Sequence, residues 1–192
     1  MRRTATALAT LTILALLPAP ATGAEVRMTE PTPREPGKHS IVYREQRVIN
    51  ADAARIWNLL VDLPGYARWN PWVIRADGPA SPGATVNVDV VLGGHVLPAM
   101  HTILVADPYT RFCWRDAGWN ALFVYGQRCR TLQVQPDGRT LYTSELLLDG
   151  VLTAVADRVL GQAMRDGMAA EATALKDHAE TPNSNSLPAT AP

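Results

Sequence analysis

The sequence predicts an α+β domain in which one antiparallel sheet is covered by a long C-terminal helix. Three observations predict it. A strand-like segment precedes two short helical segments, and about six further strand-like segments separated by turn residues lie between Trp72 and Asp149. After Gly150 the spacing of apolar residues changes from two to three, four or five, which indicates a helix.

The first elements are a strand and two short helices. Residues 40–49 are rich in β-branched and aromatic residues, which favours a strand. Asn50 to Asp52 then offers a helix cap, and apolar residues follow at helical spacing (Ala53, Ile56, Trp57 and Leu60). Leu63-Pro64-Gly65 ends this helix, and residues 66–69 form one more short turn that Asn70-Pro71 ends.

The middle of the chain reads as antiparallel strands. Turn residues interrupt it at 78–83, 93–94, 107–108, 116–118 and 136–138. Val86, Val88 and Val90 alternate with polar residues, so we expect one face of this strand to be buried and the other to be wet.

The last element is an amphipathic helix of roughly 28 residues, or about 42 Å at the helical rise per residue. Gly161 and Gly167 weaken a helix by up to about 1 kcal/mol each relative to Ala. We expect close packing against the sheet to explain them, with a bend or a ligand contact as the alternative.

The two ends of the chain have different properties from the domain. Residues 1–24 have the basic start, apolar run and small-residue region of a signal peptide, with cleavage after Ala24 or Ala21. We therefore expect an exported protein, periplasmic or secreted, whose mature form has no membrane span. Residues 25–39 form a proline-rich lead-in, residues 40–180 form the domain, and residues 181–192 form a disordered tail.

Charge and composition exclude several classes. The chain has 192 residues with 18 Lys and Arg against 18 Asp and Glu, so it lacks the basic surface of a general nucleic-acid binder. Its length predicts one folded domain. Two cysteines are too few for a disulfide framework or a four-cysteine zinc site.

No catalytic, cofactor or metal motif stands out. The sequence contains no nucleophile elbow, phosphate loop or dinucleotide fingerprint, and its four histidines lack metal-ligand spacing. We expect no cofactor and no metal. Glu145 and His101 are the only candidates for acid or base catalysis, and both are weak because they belong to no recognisable set.

Several motifs resemble one family. The segment LPGYARWNPW at residues 63–72 is similar to a motif of bacterial START-like proteins (SRPBCC, Bet v 1-like), of the polyketide cyclase/dehydrase and lipid transport type. Residues 126–128, 136–140 and 144–152 resemble that family's last hairpin and its junction with the final helix. The resemblance implies a helix-grip fold, in which a curved sheet wraps the C-terminal helix around an apolar cavity.

Arg130 departs from the family pattern, which tends to have an aromatic residue there. Arg128 and Arg130 share one face of their strand. If that face points inward, a carboxylate must pair with the buried guanidiniums, and Glu145 on the neighbouring strand is the expected partner. The alternative is that both arginines lie on the solvent face or at the cavity mouth.

Candidate ligand contacts follow from the implied cavity. Trp114 and Trp119 flank a loop that could lie at its mouth, and Met100 is a further candidate. We expect Trp57 to be core, and Trp69 and Trp72 to fix the corner around Asn70-Pro71. Cys113 and Cys129 lie on strands that a hairpin would pair, so they form a disulfide if the register brings them together.

The leading hypothesis is an exported protein that binds a small apolar or amphipathic ligand, lipid- or polyketide-like, in the cavity. The alternative is a cyclase-, dehydratase- or hydrolase-like enzyme that uses polar residues in the same cavity. A third interpretation is an interaction module that uses the outer face of the sheet. We expect no nucleic-acid partner.

Overall fold

The structure, a computed structural model, describes residues 32–117 and 123–181. These described residues form seven strands, two α-helices and one short 3-10 helix in the order that the sequence predicts. The strands are β1 Ile41–Ile49, β2 Val73–Asp77, β3 Thr85–Leu92, β4 His95–Asp107, β5 Arg111–Asp116, β6 Tyr125–Val134 and β7 Thr140–Asp149. The helices are α1 Ala53–Val61, the 3-10 helix Leu63–Arg68 and α2 Thr153–Glu180.

The sheet is antiparallel with the strand order β1-β7-β6-β5-β4-β3-β2. Strands β1 and β2 follow one another in the chain but lie at opposite edges of the sheet. Helix α1 and the 3-10 helix connect those edges, and α2 packs against β1, β3 and β7. The inner face of the sheet and the three helices therefore enclose two clusters of buried apolar residues.

Helix α1 begins and ends where local chemistry requires. The Asp52 side chain accepts a hydrogen bond from the backbone N–H of Arg55 at 2.6 Å, which caps the first turn. Ile56 and Leu60 are fully buried. The Tyr66 hydroxyl of the 3-10 helix donates to the Leu60 carbonyl at 2.8 Å, so the two helical segments are joined inside the core.

The two halves of α2 are buried to different extents. Residues 153–167, all of which the structure describes, bury only Thr153 and Gly161. The second half buries a full stripe (Met168, Glu171, Ala172, Leu175 and Ala179). At Gly167 an added Cβ would overlap the Trp72 indole, so close packing explains this glycine, as expected.

The register of β5 and β6 places two kinds of side chain on opposite faces. Cys113 is paired with Cys129 on the outer face, and the two form a disulfide. Trp114 is paired with Arg128 on the inner face. The alternation that the sequence predicts for β6 is thus present, with the arginines directed inward.

The ends of the chain lie largely outside the described residues. This holds for the predicted signal peptide, the lead-in before residue 32, and the tail after residue 181. Within the lead-in, the Gln127 side chain accepts from the Arg34 backbone N–H at 2.7 Å and donates to its carbonyl at 3.0 Å. Among residues 32–117 and 123–181, no helix has the length and apolarity needed to cross a bilayer.

Candidate functional site

The centre of the site is Glu171, a fully buried carboxylate on α2. Arg128 holds it with two parallel hydrogen bonds, from Nη1 to Oε2 at 2.9 Å and from Nη2 to Oε1 at 2.7 Å. Arg130 adds a single bond from Nε to Oε1 at 3.2 Å. Such bidentate pairs are the strong form of the arginine–carboxylate interaction.

Asn70 connects this carboxylate to the corner before β2. Its Nδ2 donates to Oε2 of Glu171 at 2.9 Å, and its Oδ1 accepts from the backbone N–H groups of Trp72 and Val73 at 3.0 and 2.9 Å. The asparagine of the WNP segment therefore uses its amide in both directions. Pro71 cannot donate a backbone hydrogen bond, which leaves Oδ1 to the two residues that follow it.

Two hydroxyl groups complete the cluster. The Ser144 hydroxyl accepts from Nε of Arg128 at 3.0 Å, and the Tyr142 hydroxyl donates to Oε1 of Glu171 at 3.4 Å. Both side chains come from β7, next to β6. Buried charges are tolerated when their hydrogen-bonding capacity is satisfied in this way.

The charges in the cluster determine its ionisation. Burial by itself raises the pKa of the Glu171 carboxyl, but the nearby guanidiniums of Arg128 and Arg130 outweigh burial and lower that pKa to about 2. Burial lowers the pKa of Arg130, but the charge of Glu171, its hydrogen bond and the neighbouring Tyr66 and Tyr142 together raise that pKa above its ordinary value, so the guanidinium stays charged. The cluster is a stable ion triad at neutral pH.

Arg130 is only partly satisfied by this triad. Its Nη1 and Nη2 atoms are buried and have no hydrogen-bond partner within the part of the chain that the structure describes. Its guanidinium carbon lies 4.2 Å from the centre of the Trp114 ring and 5.9 Å from that of Phe112. Two guanidiniums facing one carboxylate also leave one net positive charge inside the domain.

Trp114 also contacts a histidine from β4. The rings of His101 and Trp114 are stacked, with 5.1 Å between their centres. Nε2 of His101 lies 3.0 Å from Oδ1 of Asp116, and its Nδ1 is buried without a hydrogen-bond partner among the described residues. His101 is therefore held by a carboxylate with one ring nitrogen directed into the protein.

A groove of about 310 Å³ lies between α2 and the turn that joins β3 and β4. Its lining residues are Pro71, Trp72, Val91, Gly93, Gly94, Ala163, Asp166, Gly167 and Ala170. The guanidinium carbon of Arg128 lies 4.4 Å from the Trp72 ring, which itself lines the groove. One indole therefore separates the groove from the buried ion triad.

The partner predicted for the arginines is wrong. Glu145 lies opposite Cys129 in the register, on the outer face, and accepts from Nε of Arg44 at 2.7 Å. The actual partner is Glu171. The sequence indicated this partner only through its position: Glu171 is a carboxylate on the apolar stripe of the last helix, one position before Ala172.

The other candidate residues are scattered. Arg128 and Arg130 are inside, so the alternative that they face solvent is wrong. Trp114 is buried in the core rather than at a cavity mouth, and Met100 is half-exposed and does not line the groove. Trp119 lies outside the described residues.

A family model and several solved structures match this chain. A family model described as "Polyketide cyclase / dehydrase and lipid transport" matches residues 40–180. Comparison with curated proteins gives no significant match.

Solved structures share the architecture at low sequence identity. The Zhui aromatase/cyclase from Streptomyces sp. R1128 has a TM-score of 0.64 and 16% identity over 74% of this chain and 94% of that one. The di-domain ARO/CYC BexL of the BE-7585A biosynthetic pathway has a TM-score of 0.61 and 20% identity, over 75% of this chain and 51% of BexL. This chain thus spans about half of that protein. The major latex-like protein 151 from Panax ginseng has a TM-score of 0.60 and 12% identity over 74% and 99% of the two chains. The predicted helix-grip fold is confirmed.

Proposed function

The chain belongs to the polyketide cyclase / dehydrase and lipid transport family of START-like proteins. From this premise we propose that it binds a small apolar or amphipathic molecule between α2 and the sheet. The observation that carries the proposal is the groove beside Trp72, with the buried arginine cluster on the other side of that indole. Pockets that are mostly apolar with a few convergent polar groups are typical of small-molecule sites.

The first half of α2 has few buried contacts that would resist movement when a ligand enters. It buries little apolar surface, and Val155 and Val159 on it are more than half exposed. Segments with few buried contacts open at the lowest free-energy cost. The second half, which holds Glu171, is anchored by a full buried stripe. Opening of the first half would widen the groove without breaking the ion triad.

The proposal includes export of the protein. The segment at residues 1–24 has the composition of a signal peptide. The disulfide between Cys113 and Cys129 supports an oxidising compartment, where such bonds persist. Fractionation of the native host followed by N-terminal sequencing tests this, with a mature start at residue 22 or 25 expected. Intact protein found only in the cytosol would contradict export.

Ligand binding is tested with the neutral fluorescent probe N-phenyl-1-naphthylamine and with native mass spectrometry of protein purified from its host. We expect saturable probe binding by the folded wild type. Ala170→Trp fills the groove and should weaken binding, whereas Ala154→Trp is the matched control at an exposed position of α2 outside the groove. Absence of probe binding and of any co-purified molecule would contradict the proposal.

A second candidate function is acid–base catalysis on the bound molecule. It is favoured by the pair of His101 and Asp116, which do not line the groove but lie on the inner side of the sheet: a carboxylate orients the ring and leaves Nδ1 directed inward. Glu145 lies on the outer face of the sheet and pairs with Arg44. His101→Gln should abolish turnover of a co-purified molecule while leaving probe binding intact. Unchanged turnover in this variant would refute it.

A further inference from the structure

We propose that the outer face of the sheet carries a recognition site for an extended polypeptide segment that contains an arginine, and that the lead-in of this chain occupies the site through Arg34. The site is separate from the groove beside Trp72 and from the buried ion triad. The family match begins at residue 40, so the lead-in lies outside it. The site is therefore a feature of this chain that goes beyond the proposed ligand binding.

The side-chain amide of Gln127 binds the backbone of Arg34 in both directions. Its Oε1 accepts from the Arg34 N–H at 2.7 Å, and its Nε2 donates to the Arg34 carbonyl at 3.0 Å. The Tyr125 hydroxyl donates to the same Oε1 at 2.9 Å, which fixes the orientation of the amide. One residue presents its N–H and its carbonyl to the same side in extended backbone. Pro33 and Pro36 favour that backbone on either side of Arg34, so Gln127 selects an extended segment.

Tyr125 and Asp149 give the site its preference for arginine. The guanidinium carbon of Arg34 lies 3.8 Å from the centre of the Tyr125 ring, and its Nη1 lies 3.8 Å from Oδ2 of Asp149. A planar guanidinium can stack on an aromatic ring while it pairs with a carboxylate, whereas a lysine ammonium has no plane to stack. Because the ion pair is exposed and therefore weak, stacking on Tyr125 is the main source of the preference.

The lead-in reaches this site through a defined turn. The Ser40 hydroxyl accepts from the Gly37 backbone N–H at 2.9 Å, and the Ser40 N–H donates to the Gly37 carbonyl at 3.2 Å. The same hydroxyl donates to Oδ1 of Asp149 at 3.3 Å. One carboxylate therefore contacts both the turn and Arg34, which places the segment before the turn over the ends of β6 and β7.

The burial of the outer face follows the lead-in. Tyr125 and Gln127 are each 6% exposed, and Leu147, which is paired with Gln127, is 4% exposed. At the other end of the same two strands, Gln133 is exposed and its partner Leu141 is only partly buried. The outer face of an antiparallel sheet is commonly wet. The lead-in therefore replaces water over one specific part of this face.

The first test measures the exchange of the Arg34 backbone N–H with deuterated water, by NMR on the full chain. We expect this N–H to exchange at least about tenfold more slowly than in a free peptide of residues 32–39. Gln127→Ala should raise the exchange rate towards that of the free peptide, because both backbone hydrogen bonds are lost. Gln133→Ala, on the same face of β6 but away from the lead-in, is the matched control and should keep the slow exchange.

The second test measures the preference for arginine with peptides added to full-chain Arg34→Ala. The lead-in of this variant lacks its guanidinium, so a peptide of residues 32–39 should compete with it at about millimolar concentration, the effective concentration typical of a short tethered segment. We expect the peptide to shift the NMR signals of the Gln127 side-chain amide. The same peptide carrying Arg34→Ala is the control and should need at least about a threefold higher concentration.

Each result supports or overturns the proposal. Fast exchange of the Arg34 N–H in the wild type, or slow exchange that persists in Gln127→Ala, overturns the docked lead-in. Equal shifts with the two peptides, or no shift with either, overturn the recognition of arginine. If Gln127→Ala does not fold, the exchange rate in the wild type and the peptide titration of Arg34→Ala decide, because the Arg34 side chain is more than half exposed and its replacement leaves the core intact.

Discussion

Replacing Glu171 with glutamine tests the centre of the site most directly. Glu171→Gln keeps the shape of the side chain and removes the one negative charge that faces the guanidiniums of Arg128 and Arg130. We expect the variant to be much less stable than the wild type at neutral pH, because two buried cations then have no counter-charge.

Two considerations give the expected loss of unfolding free energy in Glu171→Gln. Breaking a buried ion pair by removing one partner costs about 3 to 5 kcal/mol. Independently, the pKa of Glu171 falls from 4.5 to about 2 in the folded state, and a shift of that size corresponds to about 3 kcal/mol of stability. Since domains of this kind are stable by roughly 5 to 15 kcal/mol, the loss is readily measured.

The same shift predicts a pH dependence with a definite sign. The pKa of Glu171 is lower in the folded than in the unfolded state, so the unfolded chain binds the proton more tightly. The stabilisation is complete above the ordinary pKa of 4.5 and is lost as the pH falls from there towards 2. In Glu171→Gln this contribution to the pH dependence of stability should be absent.

The assay is urea unfolding followed by tryptophan fluorescence, at pH 7 and at several values between pH 5 and 3. Glu145→Gln is the matched control, because Glu145 forms an exposed pair with Arg44 on the outer face. Exposed pairs contribute about 0 to 1 kcal/mol. If Glu171→Gln is no more destabilising than Glu145→Gln, the triad does not hold the domain together.

Three further predictions concern groups around the triad. Gly167→Ala should lower the unfolding free energy by about 1 to 3 kcal/mol, because the added methyl group overlaps the Trp72 indole. An increase in unfolding free energy of about 1 kcal/mol, the usual effect of alanine within a helix, would contradict this packing. Reduction of the disulfide between Cys113 and Cys129, which are 16 residues apart, should cost about 3 kcal/mol. Two reactive thiols in denatured, non-reduced protein would contradict the disulfide. Asn70→Ala should cost about 1 to 3 kcal/mol in urea unfolding, since it leaves the buried carboxylate and two backbone N–H groups short of a partner. A cost below about 0.5 kcal/mol would show that water replaces the amide.

Much of the fold was predictable because it depends on local patterns. The alternation along β3 and the change of period after Gly150 identified a strand and the long helix. The turn residues separated six strands correctly, and the alternation of β6 placed Arg128 and Arg130 on one face. These features are decided by neighbours in the sequence, and the family motifs added the helix-grip arrangement.

The counter-charge of the arginines was not predictable in the same way. A strand neighbour, Glu145, was the natural candidate, but the register of β6 against β7 places it opposite Cys129 and therefore outside. The register is set by the fit of the whole sheet, since a shift of one residue reverses both faces. The groove beside Trp72 likewise depends on where α2 lies.

The sequence by itself therefore determined the order of the elements and the two faces of each strand, because hydrophobic periodicity and turn chemistry act over a few residues. Only the tertiary structure decided that Glu171, 41 residues from Arg130 along the chain, supplies the buried negative charge. The physical reason is that a buried guanidinium must be compensated in space rather than along the chain. Helix α2, which covers the inner face of the sheet, supplies the carboxylate of Glu171.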